Sequence, residues 1–212
     1  MDLYNSSHAA HTVWEGADAH LLALYGFSIF EIVKDNPKEN PIDFGGIKGQ
    51  AIRQCYMDMT YNAMDKYSHV KTLPLFADID VRCPKYTSSH PAGLLFAAPF
   101  AQIALVVTEK AAFEDMCVKG FVQKDCAFAG HSLGEYSALA SIDDVLHISA
   151  LVDVVFYWGI ILQRALPLEK LGSVLGSSFS GAHGKYNMGL ISRLIGGRIP
   201  GSFNSITLQV VY

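Results

Sequence analysis

Residues 130–134, with the sequence Gly-His-Ser-Leu-Gly, restrict the fold of this chain more than any other segment. They fit the G-x-S-x-G pattern of a nucleophile elbow, in which a strand turns sharply into a helix and exposes a serine. The flanks agree with this pattern, because the apolar run at 126–129 predicts a buried strand and residues 133–140 predict a helix. We therefore expect Ser132 to be a nucleophile and the backbone N–H of Leu133 to stabilise an oxyanion.

Capping residues and apolar spacing predict helices along the rest of the chain. Ser6 or Ser7 can cap a first helix, and Ser28 with Glu31 forms a capping box for a second. Pro99 suits the first turn of a long helix. Predicted helices run from the serine cap to residue 25 and over 29–34, 47–64, 99–117, 133–140 and 148–166, while 36–49 and 65–93 are predicted to be irregular. This alternation predicts an α/β fold with a parallel sheet.

Composition excludes several classes of function. The 212 residues, 50% of them hydrophobic, suffice for one domain or for one domain and the start of another. The net charge is −4 and the basic residues are scattered, so we expect no nucleic-acid partner. The four cysteines lack metal-ligand spacing and are expected to be reduced thiols in a cytoplasmic protein that binds no metal. The apolar residues 146–166 carry Asp153 near their centre and the chain does not begin like a signal peptide, so we expect no membrane contact.

The elbow and its surroundings also resemble a known family. Gly-His-Ser-Leu-Gly-Glu is similar to the active-site signature of malonyl-CoA:acyl-carrier-protein transacylases. Residues 127–141 resemble the malonyl/palmitoyl transferase domain of the fungal type I fatty acid synthase beta subunit, and further similar segments follow that domain's order at 2–5, 25–29, 44–46, 109–114 and 154–157. The resemblance implies an incomplete acyltransferase core over 1–172, related to the α/β-hydrolases and truncated at both ends. Residues 173–212 are interpreted as a Gly/Ser-rich insert followed by the weakly matching start of a small subdomain.

This resemblance implies two-step acyl transfer in fatty acid biosynthesis. Ser132 would take an acyl group from malonyl-CoA or a long-chain acyl-CoA as an ester. The phosphopantetheine thiol of an acyl carrier protein would then collect it, with no bound cofactor. Other domains and subunits of a fatty acid synthase are the further partners that the resemblance implies.

The same resemblance predicts that this chain is impaired. The family's catalytic histidine lies further downstream, and its second oxyanion group lies on a Gly-Gln-Gly loop upstream, so we expect both to be absent here. His147 matches no catalytic position and His183 lies in the unmatched insert. His131 belongs to the signature and is interpreted as a pocket residue, not as the base.

A further departure concerns acyl selection. The family motif Arg-Gly-x-x-x-Gln provides an arginine that pairs with the malonyl carboxylate, but this chain has Trp158 at that position and Gln163 at the end of the motif. We count both as substrate-binding positions. An indole carries no charge, so weakened malonyl selection is expected. An ordinary core tryptophan is equally compatible with the sequence.

Two other functions stay open at this point. A serine hydrolase or thioesterase needs an acid and then a histidine after the nucleophile, and Asp143 or Asp153 with His183 keep that order. A non-catalytic fragment of a synthase complex needs no acyl-serine at all. Dependence on a carrier thiol separates a transferase from a hydrolase.

Overall fold

The computed structural model describes residues 2–64, 69–142 and 145–165. The helices in these ranges are α1 Asp2–Ser6, α2 His8–Leu24, α3 Ile29–Asp35, α4 Gly46–Asp58, α5 Ala98–Val118, α6 Leu133–Ser141 and α7 Ile148–Ala165. The strands are β1 Glu39–Asp43, β2 Thr60–Met64, β3 Val70–Pro74 and β4 Lys85–Ser89, and Leu94–Phe96 form a short 3-10 helix. The chain divides into two compact units.

Helices α2, α5 and α7 form the core of the first unit, whose described residues are 2–42, 87–142 and 145–165. Aromatic rings fill the space between the helices, with ring centroids 4.7 Å apart for Tyr25 and Phe156 and 5.2 Å apart for Phe27 and Phe100. Helices α5 and α7 approach so closely that a Cβ on Gly159 would lie 2.5 Å from Cα of Pro99. The core is therefore packed backbone to backbone at this crossing.

Local capping explains why the first helices begin where they do. The Ser7 side chain accepts a hydrogen bond from the N–H of Ala10, and Ser28 accepts one from the N–H of Glu31. Each serine satisfies one N–H group that the first turn of a helix leaves without a partner. The predicted caps at these two positions are confirmed.

The second unit, described over 43–64 and 69–86, is built on α4 and a β2–β3 hairpin. Strands β2 and β3 pair in antiparallel register, with Asn62 opposite Thr72. Tyr56 of α4 is fully buried and packs edge-on against Phe76 with centroids 4.9 Å apart. Burial raises the pKa of the Tyr56 phenol well above its usual value, so the hydroxyl stays protonated.

The sheets differ from the sequence-based prediction. Strands β1 and β4 form one two-stranded sheet and β2 and β3 the other, whereas residues 126–129 belong to neither. The protein is a mixed α/β protein, as predicted, but within the described residues the predicted strand before the elbow has no neighbouring strand and is largely exposed. An isolated extended segment cannot form the ladder of hydrogen bonds that defines a strand.

Element boundaries were wrong where pairing between distant residues decides them. The helix predicted over 47–64 ends at Asp58, because Thr60–Met64 pair with β3. Strands β1, β3 and β4 lie in segments predicted to be irregular, and α1 was not predicted. The predicted helices over 99–117, 133–140 and 148–166 are confirmed to within two residues by α5, α6 and α7, although Pro167 and the Gly/Ser-rich insert lie outside the described residues.

Candidate active site

Ser132 has a backbone conformation that non-glycine residues rarely adopt. Its φ is 56° and its ψ is −116°, and its side chain is exposed at the first turn of α6. Asn36 is the only other described residue, apart from glycines, with a positive φ. Such strain costs of the order of 1–3 kcal/mol and persists only where the surroundings impose it. The sharp turn expected at the elbow serine is therefore present, even though no strand precedes it.

The turn is held by contacts among its own residues. A Cβ on Gly130 would lie 2.0 Å from the carbonyl oxygen of Gly134, so only glycine fits at residue 130. The backbone N–H of Ser132 donates to Oε1 of Glu135 at 3.3 Å, and that of Gly134 donates to the carbonyl of His131 at 3.0 Å. These bonds fix the serine at the start of the helix.

Helix α5 supports the elbow helix. Lys110 Nζ donates to the carbonyl oxygen of Ala140 at 2.6 Å, near the end of α6, where carbonyls have no partner inside the helix. Ser137 Oγ donates to the carboxylate of Glu109. Just before the elbow, Phe128 packs edge-on against Phe113 with centroids 5.6 Å apart. The elbow thus rests on one face of α5.

The start of α6 offers a donor for an oxyanion. Among the described residues the N–H of Leu133 has no hydrogen-bond acceptor, as is usual in the first turn of a helix. The helix dipole adds partial positive charge at this point. A negative oxygen held beside Ser132 would therefore find a donor there.

The other predicted site residues lie on different elements. His131 is exposed next to Ser132, and Trp158 and Gln163 are partly buried on α7. No hydrogen bond within the described residues joins Ser132 to a histidine or to α7. His147 is exposed before α7, whereas His183 and Asp143 lie outside the described residues. Whether Trp158 and Gln163 bind substrate stays a prediction.

Asp153 has partners that the sequence did not indicate. The buried carboxylate accepts hydrogen bonds from His20 Nε2 and the Tyr25 hydroxyl, both at 2.8 Å. Burial raises the pKa of Asp153, and the bond and charge of His20 and the bond from Tyr25 oppose that rise. The sequence offered one indication of such partners: Asp153 is an ionisable residue within an apolar helix, and a buried group of this kind needs hydrogen-bond partners. Asp153 therefore joins α7 to α2.

A second buried polar group stands out on α5. Oε1 of Gln102 is buried and has no hydrogen-bond partner among the described residues, although Gln102 lies on an otherwise apolar part of the helix.

No group of three potential metal ligands occurs in the described ranges. Within them no single helix could cross a membrane by length and hydropathy, and only α2 and α3 pass that test together, with a 110° bend between them.

Comparison with known proteins defines the class first. The family model described as "Acyl transferase domain" matches residues 1–179, which is most of the chain. The chain therefore belongs to the acyl transferase domain family. A second model, described as "Fatty acid synthase subunit alpha Acyl carrier domain", matches residues 163–211.

Within that family, the chain is similar to parts of fungal fatty acid synthases. The chain is 52% identical over 81% of its length to the fatty acid synthase subunit beta of Schizosaccharomyces pombe. It is 44% identical over 100% of its length to the corresponding subunit of Saccharomyces cerevisiae, and 44% identical over 79% to fatty acid synthase 2 of Mycosarcoma maydis. The resemblance inferred from the motifs is confirmed. The chain covers only 8%, 10% and 4% of these relatives.

Proposed function

We propose that the chain carries out acyl transfer through Ser132, from an acyl-CoA to the phosphopantetheine thiol of an acyl carrier protein, in fatty acid biosynthesis. The observation that carries this proposal is the strained backbone of Ser132 at the start of α6, with φ 56° and ψ −116°. That conformation lies at an exposed turn, where a thioester can reach the serine. Membership of the acyl transferase domain family supports the same chemistry.

The reaction proceeds in two balanced steps. Ser132 Oγ attacks the thioester carbonyl, the C–S bond breaks, and the serine proton leaves with the CoA thiol. The carrier thiol then attacks the acyl-serine ester, and its proton returns to Ser132 as the C–O bond breaks. The N–H of Leu133 would donate to the oxygen that becomes negative in both steps.

We propose slow loading in this chain, since a serine hydroxyl is a weak nucleophile without an adjacent base. The partly buried His20 is bound to Asp153, and among the described residues no hydrogen bond joins it to Ser132. The exposed His131 precedes the serine and is assigned to the pocket. Loading therefore depends on the elbow donor and on water for proton removal.

Trp158 suggests the acyl class. It occupies the position of the arginine that the family uses for the malonyl carboxylate, and Arg164 lies six residues further on, in the last turn of α7. A carboxylate entering a pocket needs a fixed cation. We therefore propose that acetyl or palmitoyl groups load at least as well as malonyl.

A serine hydrolase is the main alternative. Its candidate acid Asp153 is buried and already accepts hydrogen bonds from His20 and Tyr25, which disfavours a role beside Ser132. A non-catalytic role within a synthase complex is the other alternative. These three functions differ in whether an acyl-serine forms and in what removes the acyl group.

Intact-mass spectrometry after incubation with malonyl-CoA, acetyl-CoA or palmitoyl-CoA tests the proposal. We expect a covalent acyl adduct that Ser132→Ala abolishes. Ser141→Ala, which removes a serine hydroxyl at the other end of α6 that bonds only within that helix, is the matched control. Adding a phosphopantetheine-carrying acyl carrier protein should discharge the adduct faster than water does.

Three outcomes would contradict parts of this proposal. Discharge at the same rate without the carrier would indicate a hydrolase. No adduct in a folded sample would indicate a non-catalytic role. A strong preference for malonyl-CoA would overturn the argument from Trp158.

A further inference from the structure

One face of α5 holds the segment that leads into the elbow. Four residues of α5 have spacings of one, three and four positions, which place their side chains on one side of the helix. They are Glu109, Lys110, Phe113 and Cys117. The first two bind Ser137 and Ala140 of α6, and Phe113 packs against Phe128. Cys117 continues this face by one turn.

After α5 the chain reverses direction. The N–H of Phe121 donates to the carbonyl of Met116 and that of Gly120 to the carbonyl of Cys117, both at 3.0 Å. This pair of bonds is the Schellman motif that ends many helices. A further turn closes with a bond of 3.3 Å from the N–H of Cys126 to the carbonyl of Gln123. The returning chain then reaches Phe113 at Phe128.

The register of this return would bring two cysteines close to each other. From Phe113 to Cys117 is four helical residues, or about 6 Å along the axis. Residues 126–128 belong to no helix, and two residues of extended chain would span about 6.6 Å. The chain that follows α5 meets the helix again where Phe128 touches Phe113, and this spacing would place Cys126 beside Cys117. The electrostatic effect of Cys126 on the Cys117 thiol agrees with this placement.

The environments of the two thiols differ. Cys117 is partly buried and Cys126 is exposed, and both are free thiols in this structure. Burial is the main cause that raises the pKa of Cys117, with smaller contributions in the same direction from Glu114 and Cys126 and an opposing one from Lys110. Cys126 is therefore the thiol that a soluble oxidant meets first.

We propose that Cys117 and Cys126 form a reversible disulfide when hydrogen peroxide oxidises the chain. The Cys126 thiol gives its proton to solvent, the thiolate attacks the peroxide, and the O–O bond breaks to leave a sulfenic acid and hydroxide, which takes up that proton to become one water. The Cys117 thiol then attacks the sulfenic sulfur, forming the S–S bond and releasing a second water. Two thiols are oxidised and one peroxide is reduced to two waters. A dithiol reductant restores both thiols.

This bond would lie close to the nucleophile in the chain. It would tie the segment before Ser132 to the end of α5, on the same face that supports α6. Cys55 and Cys83, the chain's other cysteines, belong to the other compact unit and are not part of this thiol pair. Neither Ser132 nor its proposed chemistry is needed for the disulfide to form.

Peptide mapping tests the proposal directly. The purified chain is treated with hydrogen peroxide, alkylated without reduction and digested with trypsin, which cuts after Lys119 and Lys124 and so separates the two cysteines. We expect peptides 111–119 and 125–164 to be joined, with the intact chain about 2 Da lighter through loss of two hydrogens. Dithiothreitol should separate the peptides again.

Matched variants sharpen the result. The joined peptides should persist in a Cys55→Ser/Cys83→Ser chain and vanish in Cys117→Ser and in Cys126→Ser. Oxidation of Cys126 to sulfinic acid while Cys117 remains open to alkylation would overturn the proposal. Equal cross-linking of Cys126 to Cys55 or Cys83 would do the same, and the wild-type map decides this even if a variant fails to fold.

Discussion

Ser132 combines an unfavourable backbone with an exposed hydroxyl. At φ 56° and ψ −116°, glycine would have a lower backbone energy than serine. Gly130 allows the close approach that the turn requires, since any side chain there would meet the backbone of Gly134. The strain is thus imposed by the surrounding turn, and its retention in a serine supports a role for the hydroxyl.

Two substitutions at this residue measure the strain. Ser132→Gly and Ser132→Ala both remove the hydroxyl, but only glycine accepts the backbone conformation without cost. We expect the glycine variant to be more stable than the alanine variant by about 1 kcal/mol, after allowance for its greater unfolded-state entropy. Urea unfolding of both chains provides the comparison. An alanine variant of equal or higher stability would show that the elbow is not strained.

Helices α5 and α7 meet at a point where no side chain separates them. Gly159 faces the backbone of Pro99 and Ala98, and a Cβ there would approach Pro99 N to 2.8 Å. Trp158, its neighbour in sequence, is partly buried on the same helix. The position of α7, and with it the proposed acyl-selecting residues, therefore depends on this crossing.

Alanine at residue 159 should force the two helices apart. We expect Gly159→Ala to destabilise the chain by more than about 1 kcal/mol, because a packed backbone cannot move aside as a flexible side chain can. Gly16→Ala in α2 is the matched control, since its Cβ would meet only Ile148 Cγ2 at an ordinary 3.5 Å. Thermal unfolding should separate the two variants, and equal melting temperatures would contradict the close crossing.

Across the first unit, a buried polar group links elements far apart in sequence. Asp153 of α7 accepts hydrogen bonds from His20 in α2 and from Tyr25 just after it. A charge in an apolar core is costly unless it is paired. Since burial outweighs these partners in raising the pKa of Asp153, the folded chain holds its proton more tightly than the unfolded chain does.

The sign of the pH dependence follows from linkage. With a folded pKa above the usual 3.8, the contribution of Asp153 to stability is fully present below that value and declines as pH rises through the raised pKa. We expect the unfolding free energy of the wild type, minus that of Asp153→Asn, to fall as pH rises above 3.8 and then to level off. Urea unfolding at a series of pH values measures this difference. A difference that grows with pH would mean that the His20 charge dominates.

Local chemistry in the sequence was enough to identify the elbow turn, the caps of α2 and α3, and the helices α5, α6 and α7. These features depend on neighbouring residues: a serine that accepts from an N–H three residues on, or a glycine where the backbone closes on itself. The motif was also enough to indicate the family, which the comparisons confirm.

Tertiary contacts decided the rest. Thr60–Met64 form a strand because they pair with β3. Residues 126–129 form no strand because no other described segment pairs with them. The bonds of Asp153 to His20 and Tyr25 and the contact of Phe128 with Phe113 of α5 join positions whose proximity no local pattern encodes. Strand pairing and burial depend on which residues far apart in sequence come into contact. Patterns of neighbouring residues do not reveal these contacts, whereas the tertiary structure does.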